Sequence, residues 1–157
     1  KSKKFDDSRG YFREVLLEKI VNKKFKFNVV SMSKKNVIRG LHFQKVRPQA
    51  KFISVIKGKI VDVAVDIRKN SKTYGKHFKI ILSAKNCTSL FIPEGFAHGF
   101  GGLDKENIVV YSCTNYRYKK GERGILWKDK SLKINWIIKK PIISLKDKKN
   151  KAFKEYK

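Results

Sequence analysis

The chain carries three histidines, His42, His77 and His98. Histidine is the side chain whose unperturbed charge change falls near neutral pH, so it is the first candidate for moving protons. His42 stands in Gly40-Leu41-His42-Phe43-Gln44, and His98 closes the string Pro93-Glu94-Gly95-Phe96-Ala97-His98. Pro93 and Gly95 make a turn there and hand the chain to the strand that carries His98. His77 occupies a polar position in a strand-like run and is expected to face outward. A transition-metal centre wants three or four convergent ligands. Two histidines fall short of that, so no catalytic metal is expected. Tyr111 lies near the end of Val109-Val110-Tyr111-Ser112-Cys113, and Lys51 opens a run after Arg47-Pro48-Gln49-Ala50. Taken alone, the tyrosine reads as a core side chain and the lysine as one surface lysine among many. Arg39 and His42 have opposite parity, and a regular strand would send them to opposite faces. Both serve one pocket only if the chain bends, and Gly40 between them is where a bulge is expected.

The elements that must position these residues are mostly strands. Residues 52–56 and 60–66 are β-rich runs around Lys57-Gly58-Lys59 and predict a hairpin. Residues 78–82, 89–92 and 108–113 are further short strands rich in β-branched and aromatic side chains. Turn clusters separate them at Asn70-Ser71-Lys72, Lys85-Asn86, Pro93-Glu94-Gly95 and Leu103-Asp104-Lys105. Short strands with frequent turn signals read as an all-β sandwich or barrel. One short helix is expected over residues 14–21, where Val15, Leu16, Ile20 and Val21 share a face. The lysine-rich tail, residues 137–157, reads as a loosely ordered arm or short helix. No internal repeat and no linker interrupts the chain, so residues 1–157 are expected to form one domain. The string ending in His98 resembles the second half-motif of the cupin barrel, with the Gly58 turn in the place of the first. Metal-binding cupins offer an upstream His-x-His pair and a Glu, whereas His42 stands alone.

The 157 residues suffice for one real core, and hydrophobic residues make up 41% of them, which excludes a disordered polyelectrolyte. No apolar run approaches the roughly 20 residues of a membrane span. No signal peptide is visible, and the first residue is Lys1 rather than Met. Cys87 and Cys113 sit in apolar stretches without CxxC spacing and read as reduced core thiols, pointing to the cytoplasm. The net charge of +26 raises nucleic-acid binding. Three features favour a solvated lysine surface instead: the excess is Lys rather than Arg, it is spread along the chain, and no nucleic-acid motif accompanies it. No nucleic-acid partner is therefore expected, while the same charge favours a dianionic ligand.

Several strings are recognisable together: Phe5-x-Asp7-x-Arg9-Gly10-x-Phe12-x-Glu14, Ser31-x-Ser33 through Gln44, Gln49-Ala50-Lys51, Asp62 through Arg68, and Ile92 through Phe100. They continue with Tyr111 through Tyr116, Gly124-Ile125-Leu126-Trp127-x-Asp129 and Ile134-x-Trp136. In this order and spacing they resemble the dTDP-4-dehydrorhamnose 3,5-epimerase family over residues 5–147. The resemblance implies a cupin or jelly-roll β-barrel with a few short helices. It also implies epimerisation at C3 and/or C5 of a nucleotide-linked 4-keto-6-deoxy hexose, with no cofactor. A ketone at C4 acidifies the neighbouring C–H bonds, so the reaction needs a base, an opposed acid and a cation or donor for the enolate oxygen.

By this resemblance His42 is the base, and Asp147, in Ser144-Leu145-Lys146-Asp147, holds its tautomer. Tyr111 is the acid on the opposite face and Lys51 neutralises the enolate. Arg39 grips the pyrophosphate, His98 contacts the sugar, and Glu122 lines the site with Gln44, Lys146 and Arg117. Phe5, Arg9 and Glu14, in the opening segment 1–14, reach the nucleotide of a neighbouring subunit in a homodimer. This chain departs from the family at Phe27 and Val29, where amide side chains usually touch the nucleotide, and at Arg117, where a tyrosine is usual. The alternatives are a sugar 3,4-ketoisomerase on the same barrel, which need not keep Tyr111 opposed to a His42–Asp147 pair, and a cupin that only binds.

Overall fold

The computed structural model describes residues 1–156. Its strands are β1 (Lys4–Asp7), β2 (Gly10–Arg13), β3 (Phe27–Lys34), β4 (Ile38–Gln44), β5 (Lys51–Lys57) and β6 (Lys59–Asp66). They continue with β7 (His77–Ser83), β8 (Ser89–Ile92), β9 (Phe96–Gly102), β10 (Glu106–Cys113) and β11 (Glu122–Gly124). β1 and β2 form a hairpin of their own. The rest build two antiparallel sheets, one ordered β3-β10-β5-β8 and the other β11-β4-β9-β6-β7.

Between the sheets lies an apolar interior of Ile53 and Val55 from β5, Ile60 and Ala64 from β6, Phe100 from β9 and Val109 from β10. A second core covers the outer face of the five-stranded sheet. There Val61, Val63, Val65 and Ala97 pack against Leu132, Trp136 and Phe153. β6 is thus buried on both faces, which is why its sequence is a nearly continuous apolar run instead of an alternation.

The chain around Gly58 is not a hairpin. β5 belongs to the four-stranded sheet and β6 to the five-stranded one, so this turn carries the chain from one sheet to the other. Gly58 makes the corner at φ +78°, where a Cβ would collide with the Glu106 carbonyl of β10. Two β-rich runs and a glycine are equally compatible with either geometry, and the packing of β10 across the corner decides it.

The expected helix shrinks to one turn, α1 (Glu18–Val21), ending at Asn22 in the left-handed region. A segment this short has little helical stability of its own. The lysine-rich tail is no loose arm. Ile142 bridges Val37 in parallel, and the Ile38 amide donates to the Ile142 carbonyl at 3.0 Å. The tail then forms α2 (Leu145–Lys148) and returns to the barrel, where the Lys151 carbonyl accepts from the Leu126 amide at 2.8 Å. Ile138, Ile143, Phe153 and Tyr156 seal the outer core while the intervening lysines face water. Burial of these few apolar side chains outweighs the tail's overall polarity. Among the described residues, no helix is long and apolar enough to cross a membrane.

Candidate active site

The bend expected at Gly40 is present. Arg39 pairs with Phe100 and His42 with His98, and the β4–β9 register shifts between them. Gly40 has φ +128°, and a Cβ there would lie 2.6 Å from Gly99 Cα and 2.8 Å from the His98 carbonyl oxygen. Only glycine lets the two strands approach this closely. The bulge brings Arg39 and His42 to one cavity. Arg39 is anchored by its Nε to Ser33 Oγ at 2.8 Å and by Nη2 to the Met32 carbonyl at 3.0 Å.

The cleft has two lobes of about 380 and 470 Å3, and His42, Lys51, Tyr111 and Lys146 border both. His42 comes from the five-stranded sheet, while Tyr111 on β10 and Lys51 on β5 come from the four-stranded one. A basic and an acidic side chain therefore approach the cleft from opposite walls. Burial pushes the Lys51 ammonium below its ordinary pKa, against the pull of Cys113, Asp62 and Glu122. Burial likewise raises the Tyr111 phenol, with Cys113 adding to the rise and Arg39 and Arg117 opposing it.

Two histidine–carboxylate pairs flank the cleft. His42 Nε2 donates to Asp147 Oδ1 at 2.6 Å, which leaves Nδ1 as the ring's basic atom in the neutral imidazole. Asp147 is buried on α2. Ser144 caps that turn by accepting from the Asp147 amide at 3.0 Å, and the Gly40 amide donates to Asp147 Oδ2 at 3.3 Å. Burial pushes the Asp147 carboxyl up, but the hydrogen bond and charge of His42, with the Gly40 and Ser144 contacts, outweigh it and hold the group below its ordinary value. The second pair is His98 Nε2 with Asp62, 2.9 Å to Oδ2 and 3.1 Å to Oδ1, both residues buried. Each imidazole thus has its orientation fixed by a carboxylate. Among the described residues, no group of three or more His, Cys, Asp or Glu side chains converges as a metal site.

The cleft mouth is charged. Glu122 pairs with Arg117, at 3.1 Å through Nη2, and with Lys146 Nζ at 3.4 Å. The Arg117 contact comes first among the influences holding the Glu122 carboxyl below its ordinary pKa.

A family model described as dTDP-4-dehydrorhamnose 3,5-epimerase matches residues 1–155. The chain belongs to the dTDP-4-dehydrorhamnose 3,5-epimerase family. It is 45% identical to the enzyme of that description from Methanothermobacter thermautotrophicus, over 96% of this chain and 86% of the relative. It is also 45% identical to that from Shigella flexneri, over 96% and 87%. The crystal structure of a dTDP-6-deoxy-D-glucose-3,5-epimerase from Legionella pneumophila, in complex with dTDP-4-keto-L-rhamnose, superposes with a TM-score of 0.94 at 37% identity. That match covers 98% of this chain and 85% of the other. The all-β cupin-type barrel expected from the sequence is the observed fold.

Of the residues the epimerase resemblance singled out, the structure brings His42, Asp147, Tyr111, Lys51, Arg39, His98, Glu122, Lys146 and Arg117 together at the cleft. Gln44 also lines it, yet its amide is committed to the main chain: Nε2 donates to the carbonyls of Arg47 and Tyr116, and Oε1 accepts from the Tyr118 amide at 2.8 Å. It ties loops together instead of presenting a free amide. Phe5, Arg9 and Glu14 do not border this chain's cleft. Arg9 is exposed on the β1–β2 turn, paired with Asp7 at 2.7 Å, and Phe5 is half exposed beside Phe12. Sequence reasoning missed Asp62 as the partner of His98. Its signal was a lone carboxylate inside the apolar run Ile60-Val61-Asp62-Val63, a position that a charge occupies only when paired.

Proposed function

We propose that this chain carries out the reaction of its family through His42 as base and Tyr111 as opposed acid. The reaction is epimerisation of a dTDP-linked 4-keto-6-deoxy hexose at the carbons beside its C4 ketone. His42 Nδ1 takes the proton from one face of the sugar, and the electron pair moves onto the C4 oxygen as an enolate. Asp147 keeps the imidazole in the required tautomer and stabilises the imidazolium that forms. Lys51 neutralises the enolate oxygen, its charge desolvated and hence stronger than in water. Tyr111 returns a proton to the opposite face, which inverts the centre. Arg39, Lys146 and Arg117 compensate the diphosphate, with Arg117 and Lys146 exchanging Glu122 for phosphate oxygens. His98, fixed by Asp62, contacts the sugar.

The observation that carries this reading is the placement of His42 and Tyr111 on opposite sheets across one cleft. Abstraction from one face and delivery to the other is what separates epimerisation from an isomerisation that shuttles a proton within one face.

A homodimer forms part of the proposal. Phe5, Tyr11 and Phe12 on the β1–β2 hairpin and Val30 and Met32 on edge strand β3 expose large apolar surface, which a second copy would cover. In that assembly Phe5, Arg9 and Glu14 serve the partner's nucleotide.

The test is proton NMR in deuterated buffer with dTDP-4-keto-6-deoxyglucose and purified protein. Deuterium at C3 and C5 together with inversion is expected. Exchange without inversion would overturn the role of the opposed acid, and no exchange would overturn the function. Light scattering of the same sample reads the dimer.

A further inference from the structure

Asp147 reaches His42 from α2, a single turn with little helical stability of its own. The second side-chain torsion of an aspartate is broad, so the rotamer alone does not fix the plane of the carboxylate. The line from Oδ1 to the imidazole depends on that plane, and other contacts must hold it. Oδ2 receives the Gly40 amide at 3.3 Å, and Oδ1 receives His42 Nε2 at 2.6 Å. Oδ1 also accepts from a side chain that borders neither lobe of the cleft, Asn150, whose Nδ2 lies at 3.4 Å.

Asn150 is placed for this contact from two sides. It follows α2, and its own backbone amide donates to the Asp147 carbonyl at 3.4 Å. Its carboxamide lies against β11: a Cβ on Gly124 would stand 2.4 Å from both Nδ2 and Oδ1 and 2.5 Å from Cγ. Near-equal distances to three amide atoms mean that the group presses broadside on the glycine, which has no side chain to keep it off. Gly124 is the residue that pairs with His42 across β11 and β4. Tyr156 secures the same glycine from the tail, its hydroxyl donating to the Gly124 carbonyl at 2.8 Å. The amide thus fills the gap between the strand beside His42 and the turn that carries Asp147. Its orientation follows from chemistry. An ionised carboxylate only accepts, so the carboxamide must turn its NH2 and not its oxygen toward Asp147.

We propose that Asn150 is a positioning residue for proton abstraction: wedged against Gly124, its amide holds Asp147 Oδ1 in line with His42 Nε2. The proposal rests on the reading of His42 and Asp147 given above. Asn150 touches no substrate and acts only through the carboxylate, so its loss should slow abstraction and leave binding alone.

The test is a double-mutant cycle between Asn150→Ala and Asp147→Asn in the full chain, with kcat and KM read by deuterium uptake into dTDP-4-keto-6-deoxyglucose. Asn150→Ala is expected to lower kcat about three- to tenfold, the worth of one hydrogen bond, with KM within about twofold of the parent. In the Asp147→Asn background the same change is expected to have no further effect, because the charge it serves is gone. Equal factors in both backgrounds would show an effect independent of Asp147 and overturn the proposal. So would an unchanged kcat, or a rise in KM that accounts for the whole loss. Asn150→Asp keeps the shape against Gly124 and puts an acceptor where the donor was. It should lower kcat at least as far as Asn150→Ala; a parental kcat would mean that the seat is filled for shape alone, and would sink the inference. Failure of the underlying reading looks different. Asp147→Asn by itself would then keep a rate within about tenfold of the parent, below the usual worth of a positioned general base, and both would fall.

Discussion

His42 Nε2 and Asp147 Oδ1 lie 2.6 Å apart, joined across 105 residues of sequence, with the carboxylate buried and the imidazole half exposed to the cleft. The pair can act as one unit because, among the described residues, no lysine or arginine pairs with this carboxylate. Asp147→Asn keeps the shape and removes the charge. The variant is expected to lose about 10²–10⁴ in kcat for deuterium uptake, the usual worth of a positioned general base, with KM changed far less. A rate within tenfold of the parent would mean that Asp147 only holds α2 in place.

Tyr111 approaches from the sheet opposite His42, and burial keeps its phenol protonated beyond the ordinary range. Tyr111→Phe should therefore spare abstraction more than inversion. The ratio of deuterium uptake to epimer formed, followed by NMR, is expected to rise about tenfold or more, within the usual contribution of a general acid. Equal loss of both would make the tyrosine a binding residue.

The short strands and the Pro93–Gly95 turn were legible because each is a local pattern: β-branched runs broken by turn residues. The bulge at Gly40 was legible because parity and a glycine together demanded it. The Gly58 corner was not, since a strand pair that stays in one sheet and one that crosses between sheets share the same local signals. The tail was misread for a related reason. Its many lysines dominate the composition, while its structural role rests on a few apolar side chains such as Phe153 whose partners lie far away in sequence. At the site, the resemblance carried the list of residues. It did not disclose that Gln44 is spent on the main chain of two loops, or that Asp62 on β6 fixes His98 on neighbouring β9, because which strands and loops become neighbours is not given by spacing.

Gly40 tests how far the site depends on its backbone. A Cβ at this position would meet backbone atoms of Gly99 and His98, and φ +128° is foreign to L side chains. Gly40→Ala is expected to cost about 2–4 kcal/mol, by backbone strain combined with overpacking. Any folded fraction should show a raised KM and slowed proton abstraction, because β4 must move away from β9 and take His42 with it. Chemical denaturation and deuterium uptake check the two effects. Unchanged stability would mean that the strands separate at no cost.

Asp66 supplies a pH test that leaves the catalytic residues untouched. At the end of β6 it is buried, with Oδ1 accepting from the Arg68 amide and Nε, both at 2.9 Å, and Oδ2 accepting from Ser71 and Thr73 hydroxyls, both at 2.6 Å. The Arg68 hydrogen bond, against the opposing effect of burial and with the help of the two hydroxyls, holds this carboxyl far below the ordinary carboxylate range. A folded-state pKa below the unfolded one means stability that is fully present above the unfolded value of about 4 and is lost as pH falls toward the depressed one. Asp66→Asn should thus cost about 2–3 kcal/mol near neutral pH, the scale for a buried, charge-assisted hydrogen-bond cluster. The gap to the parent should narrow steadily as the pH is taken from about 5 toward 2. Thermal unfolding across that range measures it. A gap that stays constant would show that the cluster stabilises by packing alone, with no contribution from the ionised carboxylate.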